Sequence, residues 1–146
     1  MKRRDFIKAS CISCLAGGLS LSILESCSAT RMTTGSILGS DLIIPLADFE
    51  MKQGNRTQFT QYVIVHNDTL QYPICVYRFG EHEYKAIWMR CTHQGTELQV
   101  FGERLECPAH GSTFDNEGRV LHGPAAINLR TFPVTIENNQ LKVSLR

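Results

Sequence analysis

Two short boxes of cysteine and histidine constrain the fold of this chain more than any other feature of its sequence. The first reads Cys91-Thr92-His93-Gln94-Gly95 and the second Cys107-Pro108-Ala109-His110-Gly111-Ser112, with 13 residues between His93 and Cys107. Each box offers one thiolate and one imidazole. That donor set suits a four-coordinate zinc ion, or a [2Fe–2S] cluster with cysteines on one iron and histidines on the other. Any fold of this chain therefore has to bring the two boxes side by side.

The charge of the chain gives no reason to expect a nucleic-acid partner. The 146 residues carry a formal net charge of +1, and much of the basic excess lies at the N-terminus. Without residues 1–26, 11 basic and 12 acidic side chains remain. A near-neutral domain has no long-range electrostatic preference for a polyanion. The length predicts one domain with a core of its own.

The N-terminus is predicted to be a targeting segment, residues 1–27, rather than part of the folded domain. A basic start is followed by the weakly apolar run 9–24 and then by small and polar residues, as in export signals. Arg3-Arg4-Asp5-Phe6-Ile7-Lys8 resembles a twin-arginine signal, which directs folded proteins out of the cytoplasm. We therefore expect an exported protein on the periplasmic side of a bacterial membrane. This route also suits a domain whose cofactor is inserted before export.

Three outcomes are open at the end of this signal. Leu24-Glu25-Ser26-Cys27 resembles a bacterial lipobox, in which Cys27 would carry the lipid that anchors the mature chain. Cleavage after Ala29 would instead release a free periplasmic protein. Retention of run 9–24 would leave a membrane helix, although this run falls short of the ~20 apolar residues of a spanning helix. We predict lipidation of Cys27, followed by a flexible tether over the Ser/Thr/Gly-rich residues 28–41.

From Leu42 the sequence changes to short apolar runs broken by turn residues, which is typical of an all-β domain. Strands are predicted at Tyr62–Val65, within Leu70–Phe79, and at Tyr84–Met89, which leads directly into Cys91. No segment shows apolar residues at helical spacing over more than a turn or two. We therefore predict an antiparallel sandwich or barrel over residues 42–146, with helix confined to the signal segment.

The two boxes are predicted to belong to a small subdomain over about residues 90–126. Between them, Glu97–Phe101 and Arg104–Glu106 have the pattern of a hairpin, which would bring the boxes together. Gly95 and Gly111 allow the backbone to approach a metal site closely and to adopt positive φ. A Gly123-Pro124-Ala125 loop follows the second box.

These motifs, Cys-Thr-His-x-Gly, Cys-Pro-x-His-Gly-Ser and Gly-Pro-Ala, resemble those of Rieske iron–sulfur proteins, and the resemblance covers about Leu42 to Arg146. It implies a [2Fe–2S] cluster, with Cys91 and Cys107 on the buried iron and His93 and His110 on the outer iron. It also implies that four further residues surround the cluster: Gly95, Gly111, Ser112 and Pro124. Pro124 would belong to the loop that covers the cluster on a third side.

Zinc remains the alternative to the cluster. One cysteine and one histidine from each box make a legitimate zinc site. The chain would then be a zinc-stabilised exported lipoprotein that binds or assembles partners without redox activity. Zinc coordination does not need the accessory glycines, prolines and serine, so we rank this alternative second.

Three positions depart from the Rieske proteins of quinol-oxidising complexes, which carry a disulfide between the boxes and a tyrosine after the second box. The disulfide positions are Thr96 and Ala109 here, and the tyrosine position is Phe114. Ser112 fits the remaining hydrogen-bonding role. Because a hydrogen bond to sulfur stabilises the reduced cluster, the missing tyrosine predicts a potential between ferredoxin-like and high-potential Rieske values.

The function predicted from the sequence is one-electron transfer at the periplasmic side of a membrane. The expected partner is a cytochrome or a larger oxidoreductase subunit, and a quinol is a further candidate donor. The chain would then be a subunit of a quinol–cytochrome c reductase type of complex, the small subunit of an exported oxidase, or a separate carrier. A lipid or a helix at the N-terminus would provide membrane attachment.

Overall fold

The structure is a computed structural model that describes residues 30–146. The predicted signal segment 1–27 and its Cys27 lie outside the described residues. Within residues 30–146 the chain forms strands and a single 3₁₀ turn, Leu46–Phe49, with no α-helix. The predicted all-β fold class is confirmed. No helix in the described part of the chain is long and apolar enough to cross a membrane.

The strands are short and follow one another closely along the chain. In order, they are β1 (Arg31–Thr34), β2 (Ser36–Leu38), β3 (Asp41–Pro45), β4 (Glu50–Gln53), β5 (Arg56–Phe59), β6 (Tyr62–His66), β7 (Ile74–Arg78), β8 (Tyr84–Trp88), β9 (Gln99–Phe101), β10 (Arg104–Glu106), β11 (Thr113–Asp115), β12 (Val120–His122), β13 (Thr131–Phe132), β14 (Val134–Glu137) and β15 (Gln140–Ser144).

Three sheets and a hairpin, β4–β5, make up the fold. The central sheet has the order β1-β6-β7-β8-β13, the second sheet β14-β15-β3-β2, and the third, which we call the cluster sheet, β12-β11-β10-β9. The turn between β14 and β15 places Asn138 and Asn139 at φ 50° and 62°, as a two-residue hairpin turn with positive φ requires. The predicted hairpin between the boxes is β9–β10, with Gly102 at φ 59° in its turn.

The central sheet is buried on both faces, and the alternation of its side chains divides the core in two. One face packs against the second sheet, with β-branched residues such as Val63, Val65 and Val76. The opposite face, with Tyr62 and Cys75 among others, belongs to a core that continues into the cluster sheet. The central sheet therefore supports the subdomain that carries both boxes.

The flexible tether predicted over residues 28–41 is wrong for most of its described length. β1 pairs in parallel with β6, and β2 pairs antiparallel with β3. Between them, a Cβ on Gly35 would lie 2.6 Å from Leu42 Cδ1 and 2.8 Å from Val65 Cγ1. The small residue that suggests flexibility in the sequence is here required for close packing on the core.

Candidate metal centre

The first ligand loop, which we call loop 1, runs from Cys91 to Thr96 and follows β8 after two residues. It closes through two backbone hydrogen bonds, Cys91 N–H to the Thr96 carbonyl at 2.8 Å and Gly95 N–H to the Cys91 carbonyl at 2.9 Å. Gly95 has φ 78°, in the left-handed region that favours glycine. Cys91 is fully buried and His93 is exposed. The loop therefore turns its sulfur inward and its imidazole outward.

The second ligand loop, loop 2, runs from Cys107 to Ser112 and repeats this backbone pattern. Cys107 N–H donates to the Ser112 carbonyl at 2.8 Å, and Gly111 N–H donates to the Cys107 carbonyl at 3.0 Å. Gly111 has φ 76°. Cys107 is buried and His110 is exposed. β10 leads into this loop and β11 leads out of it, so loop 2 belongs entirely to the cluster sheet.

The structure brings the four candidate ligands together as two pairs, one of cysteines and one of histidines. The Cys91 and Cys107 side chains are within hydrogen-bonding contact of each other, and neither cysteine forms a disulfide. The His93 and His110 rings meet edge to face, with centroids 5.0 Å apart. Across residues 30–146, no three metal-binding side chains converge as on a single ion. A buried sulfur pair and an exposed imidazole pair suit a two-iron cluster, which needs two ligands on each iron.

Backbone amides surround both sulfurs. The N–H groups of His93 and Gln94 donate to the Cys91 sulfur, and those of Ala109 and His110 donate to the Cys107 sulfur. Such donors stabilise a thiolate in a site that water does not reach.

The two thiols differ in acidity. Burial raises the pKa of Cys91 above its ordinary value, in spite of its amide donors. Burial also acts to raise the pKa of Cys107, but its amide donors and the side chains of Cys91 and Thr96 bring that pKa below the ordinary value. Of the two thiols, Cys107 therefore has the environment that favours the thiolate more.

A third loop, Gly123 to Asn128, lies against both ligand loops. The Ser112 hydroxyl oxygen, fully buried, accepts a hydrogen bond from the Ala125 N–H at 2.9 Å. The Thr92 hydroxyl donates to the Ile127 carbonyl at 2.6 Å. Pro124 is exposed and follows a cis peptide bond. Two hydrogen bonds thus join this loop, which contains Pro124, to loop 2 through Ser112 and to loop 1 through Thr92.

Two residues that sequence reasoning missed support loop 1 from segments next to the central sheet, one before β7 and one after β8. Tyr72 donates its hydroxyl to the Gly95 carbonyl at 2.5 Å. The guanidinium of Arg90 lies over the Trp88 ring, 5.6 Å from its centroid, and reaches Gly95, where a Cβ would meet Nη2 at 3.2 Å. Tyr72 gives no signal in the sequence, because its contact depends on how β7 and β8 pair. Arg90 could have been noticed as the residue before Cys91, although not its contact.

This fold and these paired loops define an iron–sulfur domain, and comparisons with known proteins identify its family. A family model of the Rieske [2Fe-2S] domain matches residues 49–133. The chain therefore belongs to the Rieske family, and its cofactor is a [2Fe–2S] cluster.

Similar proteins include two cytochrome b6-f complex iron-sulfur subunits. Those of Synechococcus sp. (strain WH7803) and Prochlorococcus marinus (strain NATL1A) are 29% and 39% identical over 102 residues, which are 68% of this chain and 51% of each relative. The chain thus spans about half the length of these relatives. Among solved structures, the plasma membrane Rieske protein PetC3 from Synechocystis PCC 6803 has a TM-score of 0.50 and 26% identity, covering 57% of this chain and 86% of that one.

Proposed function

We propose that Cys91, Cys107, His93 and His110 hold the cluster and that the chain transfers single electrons through it. The observation that carries this proposal is the arrangement of two buried sulfurs behind two exposed, adjacent imidazoles. When bound, the cluster supplies the one-electron redox change. The thiolates neutralise charge on the inner iron, and the neutral imidazoles leave the outer iron less negative, which raises the potential. Rieske-type electron transfer is also the function of the family.

The electron is proposed to leave at the exposed end, through the His93 and His110 edges. The third loop, which bonds to both ligand loops, exposes Pro124 and Ile127 (69% exposed), and β12 directly before it exposes Leu121 (51%). Exposed apolar side chains of this kind suit a docking partner that excludes water. A cytochrome, or a larger oxidoreductase subunit, is the kind of partner we propose. This agrees with relatives named as subunits of a cytochrome complex and as an oxygenase component. A quinol is the small-molecule alternative.

The finer setting of the function is also a proposal. The Arg3-Arg4 signal supports export to the periplasmic side, and Cys27 supports attachment to the membrane by a lipid. Phe114 is fully buried and has no hydroxyl, and no disulfide joins the two ligand loops within residues 30–146. The missing hydroxyl supports a potential below that of high-potential Rieske proteins, and both departures argue against a subunit of a quinol-oxidising complex.

Metal analysis of the purified protein tests the cluster. We expect two irons and two acid-labile sulfides per chain, with visible absorption. Cys107→Ser should abolish the colour, because it removes a ligand thiolate. Gln99→Ser provides the control, since Gln99 is exposed at the start of β9, outside both loops, and its substitution should leave the iron content unchanged. A measurement of one zinc per chain without sulfide would contradict the proposal and support the zinc site instead.

A further inference from the structure

A groove runs between the outer strands of two sheets. β1 is an outer strand of the central sheet, and β9 is an outer strand of the cluster sheet. Both strands contribute to this groove of about 350 Å³, whose apolar lining comprises Met32, Ile64, Met89, Leu98, Val100 and Phe101. Met32 and Phe101 are also largely exposed, at 62% and 57%. Exposed apolar side chains beside an apolar groove are typical of a surface that contacts a protein or a membrane.

Thr30 connects this groove to the proposed site of lipid attachment. It lines the groove, and its hydroxyl oxygen lies 3.2 Å from that of Tyr62. In the sequence only Ser28 and Ala29 separate Thr30 from Cys27. Three residues span at most about 11 Å even when fully extended. A lipid on Cys27 would therefore hold Thr30, and with it the groove, close to the surface of the bilayer.

The strand registers place Thr30 far from loop 1. Tyr62 of β6 lies opposite Tyr77 of β7, and Tyr77 lies opposite Lys85 of β8. From Lys85 the chain continues along β8 to Cys91, six residues later. Six residues of extended chain cover about 20 Å. Thr30 and loop 1 therefore lie at opposite ends of the central sheet.

The cluster sheet has the same polarity. The Tyr77 hydroxyl donates to the carbonyl of Gly102, at 3.0 Å, in the turn between β9 and β10. Phe101 directly precedes this turn and so lies at the same end as Thr30. From the turn, β10 leads away to loop 2. Glu97, which carries the only formal charge among the described residues of the groove, follows loop 1 directly and lies towards the far end.

We propose that Thr30, Met32 and Phe101, which we call the N-terminal face, lie on the lipid bilayer and that this contact holds His93 and His110 away from it. The inference rests on the attachment of Cys27 proposed above. The short connection brings the N-terminal face to the membrane, and apolar side chains buried between head groups and acyl chains stabilise the contact. In this orientation the exposed imidazoles face partners outside the bilayer, which favours a protein partner over a quinol within the membrane.

Tryptophan substitutions test the orientation in the full-length, lipid-modified protein with its cluster. The protein is reconstituted into vesicles of phosphatidylcholine and phosphatidylglycerol, with or without bromine on the acyl chains, since bromine quenches tryptophan in contact with it. We expect Met32→Trp and Phe101→Trp to lose most of their added emission in brominated vesicles. Ile127→Trp is the matched control, because Ile127 is equally large and exposed but lies in the third loop. Wild type, with Trp88 alone, provides the background.

The outcomes separate the orientation from the attachment. Quenching of Ile127→Trp as strong as that of Met32→Trp and Phe101→Trp, or no quenching of any variant in vesicle-bound protein, would overturn the orientation and leave the lipid anchor in place. If wild type does not sediment with the vesicles, or if Cys27→Ser sediments as well as wild type, the attachment is refuted together with the orientation that depends on it. Iron and sulfide content, measured on the same vesicles, reports the cluster independently of both.

Discussion

Loop 1 and loop 2 share one backbone pattern but are supported by different parts of the molecule. Loop 1 leaves the central sheet after β8 and is contacted by Tyr72, just before β7, and by Arg90, just after β8. Loop 2 joins β10 to β11 and contacts the cluster sheet and the third loop. Local sequence sets the turn geometry of both loops. Their distance from each other depends instead on how two separate sheets pack.

The core between these sheets is therefore part of the site. It unites Tyr62, Cys75 and Ile87 of the central sheet with Leu105 and Phe114 of the cluster sheet, and it includes both ligand cysteines. A buried core of this kind resists displacement, because close-packed side chains transmit strain rather than absorb it. We infer that changes in this core alter the spacing of the loops.

The largest expected effect is the loss of stability when a buried phenylalanine is replaced by alanine, and it is compared between the two cores. Phe114→Ala should lower the free energy of unfolding by about 3–5 kcal/mol, since the ring is fully buried. Phe49→Ala, in the core behind the central sheet, is a matched control that is equally buried. Both variants should unfold more easily in urea, followed by fluorescence of the single tryptophan, Trp88. Only Phe114→Ala should also accelerate cluster loss at 25 °C. Equal rates of loss in both variants would contradict a special role for the shared core.

The four candidate ligands could be predicted from the sequence because their chemistry is local. Cys91 and His93 lie two residues apart, Cys107 and His110 three apart, and glycines follow both pairs. The strands around Tyr62–Val65 could also be predicted, since β-branched runs bounded by turns rarely form anything else.

What could not be predicted depends on contacts between distant segments. β1 and β2 have the composition of a linker, and only pairing with β6 and β3 makes them strands. The contact of Tyr72 with Gly95 likewise depends on the packing of separate elements. His66 lies at the end of β6 with a buried Nε2 that has no partner among the described residues, a placement that follows from the packing of the sheet.

A loss of stability of intermediate size is expected when Asp115 is replaced, since this residue holds the turn that follows loop 2 and β11. Asp115 accepts the N–H groups of Glu117 and Arg119 at 2.9 and 2.8 Å, together with the Arg119 guanidinium. Burial acts to raise the pKa of Asp115, but these donors bring the pKa below its ordinary value of 3.8. The ionised Asp115 carboxylate therefore stabilises the folded state fully above pH 3.8. This stabilisation is lost as the pH falls through the lower pKa that Asp115 has in the folded state.

Asp115→Ala should therefore destabilise the protein by about 1–3 kcal/mol at pH 7, because it removes a charged acceptor. Asp115→Asn keeps an oxygen that accepts the backbone N–H groups of the turn, so it should destabilise the protein less than Asp115→Ala does. The difference in stability between wild type and Asp115→Asn, from urea unfolding, should shrink as the pH falls below 3.8. A difference that stays constant over this range would contradict the role of the charge.

The smallest expected effect compares the two loops directly, through their glycines. Gly95 and Gly111 have nearly the same φ, 78° and 76°, so alanine at either position meets the same left-handed strain of about 1–2 kcal/mol. Their surroundings differ. A Cβ at Gly95 would lie 3.2 Å from Arg90 Nη2, whereas a Cβ at Gly111 would meet nothing within 4 Å. Gly95→Ala should thus destabilise the protein more than Gly111→Ala, by about 0.5–1 kcal/mol.

A double variant isolates the contribution of the arginine. Arg90→Ala removes the side chain that crowds Gly95, so Gly95→Ala in that background should cost no more than Gly111→Ala does in wild type. Gly111→Ala combined with Arg90→Ala is the control, and its two effects should add, because Gly111 lies in open surroundings. If Gly111→Ala proves as costly as Gly95→Ala in the wild-type background, then support from the central sheet does not distinguish the loops, and their geometry is determined by the shared turn alone.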